Sequence, residues 1–208
     1  MKPGPFVSLV ALLGRLDEKT LAVHARALRD AGILEKGGRG RSGLEVDHVY
    51  LAKLLISRMG TASPARAVET YQRFAAMQMP HDAGHWLIQS RLPNPDHTLL
   101  DLITLLCDPA APLSPKTPFE VTFIGSAMVE VKIGKETLTY IDRNELEKGA
   151  AEFVAAEGSD DELAKLRVQA FLSPMSMHGI VESRTFNSQW LQMLKDLLFV
   201  HEEPPKPA

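Results

Sequence analysis

Four prolines within eleven residues divide this chain. Between positions 108 and 118 the sequence reads D-P-A-A-P-L-S-P-K-T-P. Proline lacks a backbone N–H and fixes its own φ angle, so the segment can form neither a helix nor a central strand and favours an extended conformation. The apolar period also changes there, from 3.6 residues before the segment to 2 residues after it. The sequence therefore predicts a proline-rich linker at 108–118 between two folded parts.

The part before the linker, residues 1–107, has the pattern of a helical domain. Residues 6–13 are apolar, 14–16 form a turn, and residues 18–31 carry Leu21, Ala25 and Leu28 on one helical face. Asp17 lies where an N-cap is needed and Gly32 where a helix ends. Four further helices are predicted: one capped by Asp47, one opened by Ser63-Pro64 and continuing to residue 79, one at 81–92, and one capped by Asp96.

A basic, glycine-rich loop follows the helix at 18–31. Lys36, Arg39 and Arg41 alternate with glycines at 37, 38, 40 and 43. This loop has too little apolar surface to pack, but it can bring guanidinium and backbone groups close to an anion. It lacks the G-x-x-x-x-G-K-[ST] pattern of a phosphate-binding P-loop and follows a helix instead of a strand. Nucleotide hydrolysis is therefore not expected.

The helix and the loop together resemble the winged helix-turn-helix of ArsR- and MarR-type bacterial regulators. The resemblance covers about forty residues and ends near residue 46. It is carried by the wing glycines and arginines and by Thr20, Leu21, His24, Leu28, Arg29, Ala31, Gly32, Ile33 and Leu34. It implies that 18–31 is a recognition helix for double-stranded DNA and that 36–43 is the wing beside it.

The resemblance also implies a set of DNA contacts. Lys19 and Arg26 would contact phosphates or guanine edges, Thr20 a phosphate, and Val23 a thymine methyl group. The arginines of the loop would enter a minor groove. The nucleic-acid-binding residues predicted are Arg15, Lys19, Thr20, Val23, His24, Arg26, Lys36, Arg39 and Arg41. A histidine at position 24 is also compatible with a ring packed in the core. Asp17 and Glu18 would lie near phosphates and oppose binding.

Charge is distributed unevenly along the chain, whose net charge is −3. Residues 1–60 contain ten Lys and Arg against six Asp and Glu, whereas residues 61–208 contain thirteen against twenty. Because phosphate neutralisation depends on the local patch, this asymmetry favours a DNA-binding module in the first part.

The part after the linker has the pattern of a small mixed domain. Alternating apolar residues predict antiparallel strands at 119–123, 128–133 and 137–141, and helices follow at 144–156, 160–172 and 187–200. We therefore predict an α+β fold with four segments: a winged helix-turn-helix with helical extension at 1–107, the linker at 108–118, an α+β domain at 119–201, and a disordered tail at 202–208.

One motif suggests different chemistry. His81, Asp82 and His85 resemble the H-D-x-G-[HK] core of HD-type metal phosphohydrolases, in which the two histidines could hold a metal. Such enzymes need a further histidine upstream and an aspartate downstream, for which the chain offers His48 and Asp96, Asp101 or Asp108. Pro80 also precedes the motif where that family continues a helix, so the helix start is the favoured interpretation.

The function expected from the sequence is sequence-specific binding of double-stranded DNA, most simply by a cytoplasmic transcriptional regulator that acts as a homodimer. The C-terminal domain would serve dimerisation, ligand sensing or a protein contact, and no enzymatic activity, cofactor, metal or membrane association is expected. The alternatives are a phage or mobile-element protein that marks a DNA site for packaging or replication, the metal phosphohydrolase, and a winged domain that binds protein. The single cysteine, Cys107, fits a reducing compartment.

Overall fold

The computed structural model describes residues 2–35, 46–79, 97–110, 118–125, 128–142, 144 and 183–199. Within these ranges the protein is α+β, as the sequence predicts. The described elements are α1 (Pro3–Gly14), α2 (Glu18–Asp30), α3 (His48–Gly60), a 3₁₀-helix (Pro64–Arg66), α4 (Ala67–Ala75), α5 (Leu99–Cys107), β1 (Phe119–Ile124), β2 (Met128–Ile133), β3 (Glu136–Ile141), β4 (Ser183–Asn187) and α6 (Ser188–Phe199).

The first two helices lie close to their predicted positions, with a difference in the turn between them. Asp17 caps α2, since its Oδ2 accepts a hydrogen bond from the Thr20 N–H at 2.7 Å. Gly32 follows α2 with a φ of 74°, which glycine adopts without strain. In the turn, however, Arg15 takes the left-handed conformation, with a φ of 50°, while Gly14 still belongs to α1.

Helix α3 is the most deeply buried helix element of the first part. Asp47 caps it as predicted, because its Oδ1 accepts from the Tyr50 N–H at 2.8 Å. The sequence predicts one apolar stripe, yet α3 packs against α2, α4, α5 and β4 and is buried on most of its circumference. Its buried residues are Tyr50, Leu51, Ala52, Leu54, Leu55, Ile56, Ser57 and Met59. A Cβ at Gly60 would lie 2.5 Å from the Cγ2 of Thr70, so only glycine allows α3 and α4 to approach this closely.

Helix α4 is shorter than the sequence predicts. The apolar pattern continues to residue 79, but the helix ends at Ala75. Gln78 instead forms isolated β-bridges with Thr98 and with Ile141 at the end of β3. Tertiary pairing therefore ends the helix before Pro80 does.

Helix α5 begins later than predicted, and the assignment of Asp96 as its cap is wrong. The N-cap is Thr98, which forms a reciprocal capping box with Asp101: each side chain bonds to the backbone N–H of the other residue. His97 lies before the helix and is buried, with its Nε2 2.6 Å from the hydroxyl of Tyr140 on β3. Because His97 makes this contact, it does not belong to the first turn of the helix, where the sequence pattern placed it. Asp96 itself lies outside the described residues.

The four strands form one antiparallel sheet in the order β3-β2-β1-β4. The three predicted strands are confirmed, and their turns contain Gly125 and Gly134, both with positive φ. The side of the sheet that faces the helices is apolar, and Phe123 contacts Phe74 of α4 with ring centroids 5.3 Å apart. The buried residues of this side include Val121, Phe123, Val129, Val131, Leu138, Tyr140 and Phe186. The other side carries mainly polar residues, as alternation along the strands requires, but Ile124 and Met128 at one end of it form a second, small buried cluster.

The fourth strand is a feature that the sequence does not predict. β4 pairs with β1, so that Phe186 lies opposite Val121. Arg184 extends from β4 to the end of α3 and donates a hydrogen bond from Nη1 to the Met59 carbonyl at 3.3 Å. Helix α6 follows directly, with the Trp190 N–H donating to the Asn187 side chain at 3.1 Å.

The buried residues on both sides of the predicted linker belong to one hydrophobic cluster. Helix α6 packs against α1. Lys195 of α6 also donates from Nζ to the Asp108 carbonyl, at the end of α5, at 2.8 Å. The boundaries at 107 and 119 stay a prediction from the sequence, but the two predicted domains pack around a shared core.

Several predicted segments lie outside the described residues. These are the loop at 36–43, the helix at 81–92, most of the linker, the helix at 144–156 apart from its first residue, the helix at 160–172, and the tail at 202–208. In the parts of the chain that are described, no helix combines the length and apolar character that crossing a membrane requires.

Candidate nucleic-acid interface

Helix α2 presents one side to the core and the other to solvent. Leu21, Ala25 and Leu28 are buried, and they hold the helix against α1, α3, α4 and the 3₁₀-helix. The opposite side, here called the outer face of α2, consists of Lys19, Ala22, Val23 and Arg26, which are all exposed. The helix is therefore anchored by packing and leaves its outer face free for a partner.

The outer face of α2 combines positive charge with an exposed apolar side chain. Val23 is 48% exposed. Lys19 and Arg26 form no ion pair or side-chain hydrogen bond with any residue that the structure describes. One apolar contact point thus lies between two cations that are available to an external anion.

Arg15 stands at the beginning of α2, on the turn from α1. A Cβ at Gly14 would lie 3.1 Å from the Cζ2 of Trp190, so the missing side chain allows α6 to lie close to the end of α1. The left-handed residue of the turn is Arg15. The Arg15 side chain is exposed and forms no ion pair among the described residues. It adds a third unpaired cation next to the outer face of α2.

Two acidic residues at the start of α2 have structural partners. Asp17 caps the helix, and the hydrogen bonds from Thr20 hold the pKa of its carboxyl below the ordinary value. Glu18 accepts a hydrogen bond from the Ser8 hydroxyl of α1 at 2.6 Å. Thr20 is half-buried, and its backbone N–H is used by the cap. Both carboxyl groups lie near the outer face, and each helps to fix α2 in place.

His24 is a correction to the predicted set of DNA contacts. Its side chain is fully buried, with Nδ1 3.1 Å from the hydroxyl of Ser57 on α3. The other ring nitrogen, Nε2, lies near the backbone of Ala62 without the geometry of a full hydrogen bond. Burial lowers the pKa of His24 to about 4, so the ring is neutral at physiological pH. A buried neutral imidazole packs the helix and does not contact DNA.

The loop predicted as the wing lies outside the described residues, and with it Lys36, Arg39 and Arg41. The residues at its two ends are described. Leu34 is buried, and the Ile33 carbonyl accepts a hydrogen bond from Lys53 Nζ at 3.0 Å. The chain returns at Val46, which is buried before α3. The loop therefore leaves from the C-terminal end of α2 and returns at the N-terminal end of α3.

Two residues of the interface have no signal in the sequence. Ser57 holds His24 from inside α3, and Arg66 is exposed on the 3₁₀-helix that packs against α2. Ser57 lies 27 positions and Arg66 36 positions after the end of α2 in the sequence. Only the packing of α3 and α4 brings them to α2, so neither periodicity nor motif spacing could have identified them.

The alternative metal site cannot be assembled from the described residues. His81, Asp82, His85 and Asp96 lie outside them. Of the other candidate ligands, Asp101 forms the capping box of α5, and Asp108 accepts from the Ala110 N–H at 2.8 Å. Within the described ranges, no three His, Cys, Asp or Glu side chains are grouped closely enough to hold a metal ion.

Helix α2 is packed on one side and presents an exposed basic and apolar face on the other, a combination suited to a polyanion with apolar groups between its charges. Comparison of the chain with protein-family models, with curated proteins and with solved structures finds no match.

Proposed function

We propose that this protein binds double-stranded DNA through the outer face of α2 and that the binding is sequence-specific. The observation that carries the proposal is the presence of Lys19, Val23 and Arg26 on one exposed face, with neither cation paired to a described residue. Unpaired cations on a surface are available to displace the counterions of DNA phosphates, which is the main source of DNA affinity.

The dimensions and the anchoring of α2 support this function. The major groove of B-form DNA is about 12 Å wide and admits one α-helix. A helix that enters the groove must be held from behind, since mobility would cost affinity on binding. Burial of Leu21 and Leu28 and the cap at Asp17 provide that support.

The residue types of the outer face suggest distinct roles. Lys19 and Arg26 can contact phosphates or the O6 and N7 atoms of guanine, whereas Val23 can pack against a thymine methyl group. Arg15 can contact a phosphate from the turn before the helix. The basic loop with Lys36, Arg39 and Arg41 is proposed as a second contact, because it starts from the end of α2.

Acidic residues limit the expected affinity. Asp17 and Glu18 lie at the start of α2 and Asp30 at its end, all exposed. Their repulsion from phosphates makes weak non-specific binding the expected behaviour of a single chain. Two copies that read two half-sites about one helical turn apart would gain both affinity and specificity, as a homodimeric transcriptional regulator does. A protein that marks a DNA site for packaging or replication would use the same contacts.

Selection of bound duplexes from a random pool tests the proposal. We expect enrichment of a motif at low salt, with two related half-sites if the protein binds as a dimer. Val23→Ser should reduce the preference for thymine at one position of the motif and leave the rest unchanged. Recovery of no enriched sequence, together with no duplex binding at low salt, would contradict the proposed function.

A further inference from the structure

The connection from α3 to α4 lies beside α2. The 3₁₀-helix Pro64–Arg66 packs against α2. Ser57 fixes the connection from within, since its hydroxyl lies 3.1 Å from His24 Nδ1 and donates to the Ala67 carbonyl at 3.1 Å. The position of this connection relative to α2 is therefore set by a buried polar contact as well as by apolar packing.

Helix geometry gives the directions in which α1 and the α3–α4 connection lie around the axis of α2. These two segments are here called the flanks of α2. Each residue of an α-helix turns by about 100° around the axis. Helix α1 contacts α2 at Glu18, through Ser8, and the connection contacts it at His24, whose ring lies near the backbone of Ala62. Lys19 and Arg26 point between these two directions. The outer face of α2 thus lies between α1 with its turn on one side and the α3–α4 connection on the other.

Each flank carries one exposed, unpaired arginine. Arg15 belongs to the turn at the beginning of α2, and Arg66 ends the 3₁₀-helix. Neither forms an ion pair or a side-chain hydrogen bond with the described part of the chain. The residues that precede Arg66 and are exposed with it are small: Ala62, Ser63 and Ala65. No bulky neighbour in this connection would keep a DNA backbone away from the guanidinium group.

We propose that Arg66 binds a DNA phosphate on the side of the major groove opposite to the phosphate bound by Arg15. This inference rests on the proposed function, and it adds a contact from a segment outside the helix-and-loop region. Phosphates of the two strands border the groove on either side of an inserted helix, so a cation on each flank would fix the orientation of α2 in the groove.

Duplex-binding titrations with Arg66→Gln test the inference, using the full chain and both a random-sequence duplex and the duplex obtained by selection. Loss of one phosphate contact should weaken binding to both duplexes by a similar factor, about threefold or more at low salt. It should also reduce the slope of log K against log salt by about 1 and leave the selected motif unchanged.

Two further variants separate this contact from a general effect of charge. Lys135→Gln removes the same charge from an exposed position on the β2–β3 turn and should leave binding unchanged. Glu69→Gln removes an exposed negative charge in the first turn of α4, close to Arg66, and should strengthen binding. The free energy of unfolding of Arg66→Gln should equal that of the original protein, because the side chain has no described partner.

The outcomes distinguish the two proposals. If the original protein binds no duplex at low salt, the proposed function fails and the role of Arg66 fails with it. If the original protein binds and Arg66→Gln matches Lys135→Gln, the Arg66 contact is overturned while DNA binding stands. A change of the selected motif at one position, without a uniform loss of affinity, would overturn the assignment to a phosphate.

Discussion

The Nδ1 atom of His24 lies 3.1 Å from the hydroxyl oxygen of Ser57 in the protein interior. Because the same hydroxyl donates to the Ala67 carbonyl, the pair connects α2 to α3 and to the start of α4. A hydroxyl that donates to a carbonyl can accept from an imidazole N–H, so the neutral ring with its proton on Nδ1 satisfies both partners. The buried histidine therefore sets the orientation of the helix whose outer face is proposed to bind DNA.

The stability of the protein should depend on pH through His24. Burial, assisted by the charges of Arg58 and Arg184, lowers the pKa of His24 from 6.5 to about 4. The unfolded chain therefore takes up a proton at higher pH than the folded protein does. The contribution of His24 to the free energy of unfolding is therefore fully present above pH 6.5. It is lost as the pH falls towards 4, where the free energy of unfolding is lower by about 3 kcal/mol. Urea unfolding at intervals between pH 7.5 and pH 4 measures this loss.

His24→Gln is the matched variant, since it keeps a polar side chain near Ser57 and removes the titration. At pH 7 the variant should be the less stable protein, because a buried contact has changed. The difference in the free energy of unfolding between the variant and the original protein should become smaller as the pH approaches 4. A difference between the two proteins that stays constant from pH 7 to pH 4 would show that His24 is not held neutral by burial.

Phe123→Ala should destabilise the helices and the sheet together. Phe123 of β1 contacts Phe74 of α4 and belongs to the core cluster that all the helical elements around α3 share. Truncation of a buried phenylalanine costs about 3–5 kcal/mol. Native-state amide hydrogen exchange should show α3 and β1 losing protection by the same factor. Loss of protection in the sheet alone would instead indicate two domains that unfold separately.

Local signals in the sequence predicted much of the helical part. Asp17 and Asp47 are N-caps because a short carboxylate can reach the first free N–H groups of the helix that follows, a contact that depends on three neighbouring residues alone. The strands at 119–124, 128–133 and 136–141 could also be predicted, because the alternation of apolar and polar residues is likewise a local signal. The exposure of Lys19, Val23 and Arg26 follows from the period of α2.

The structural features that the sequence did not predict depend on contacts between segments that are far apart in the chain. β4 contains only five residues, with one apolar side chain on its buried face, and becomes a strand by pairing with β1. His97 leaves the predicted first turn of α5 because Tyr140 offers it a buried hydroxyl. His24 has the sequence position of a DNA contact, but Ser57, thirty-three positions away, draws it into the core. In each case the partner is unknown until the chain is folded.

Asp17→Asn should strengthen DNA binding without a large loss of stability. Asparagine caps helices about as well as aspartate, so the bond to the Thr20 N–H is kept. The substitution removes a negative charge that lies near the proposed phosphate positions. We expect an affinity gain of about twofold or more for a duplex at low salt, decreasing as salt screens the repulsion. Fluorescence anisotropy with a labelled duplex measures the gain.

Asp17→Ala is the control for that variant, because it removes both the charge and the cap and should cost about 0.5–2 kcal/mol of stability. If Asp17→Asn binds a duplex no better than the original protein, the start of α2 does not lie near the phosphates.

The central claim, that the outer face of α2 contacts DNA, is tested most directly by the salt dependence of duplex binding. The comparison is between the original protein, the double variant Lys19→Gln with Arg26→Gln, and a control with Lys132→Gln and Lys135→Gln, which removes two exposed charges from the sheet hairpin. If both α2 cations bind phosphates, the slope of log K against log salt should fall by about 1.8 in the α2 variant and stay unchanged in the control. Equal slopes for the two variants, or no duplex binding by the original protein at low salt, would contradict the claim.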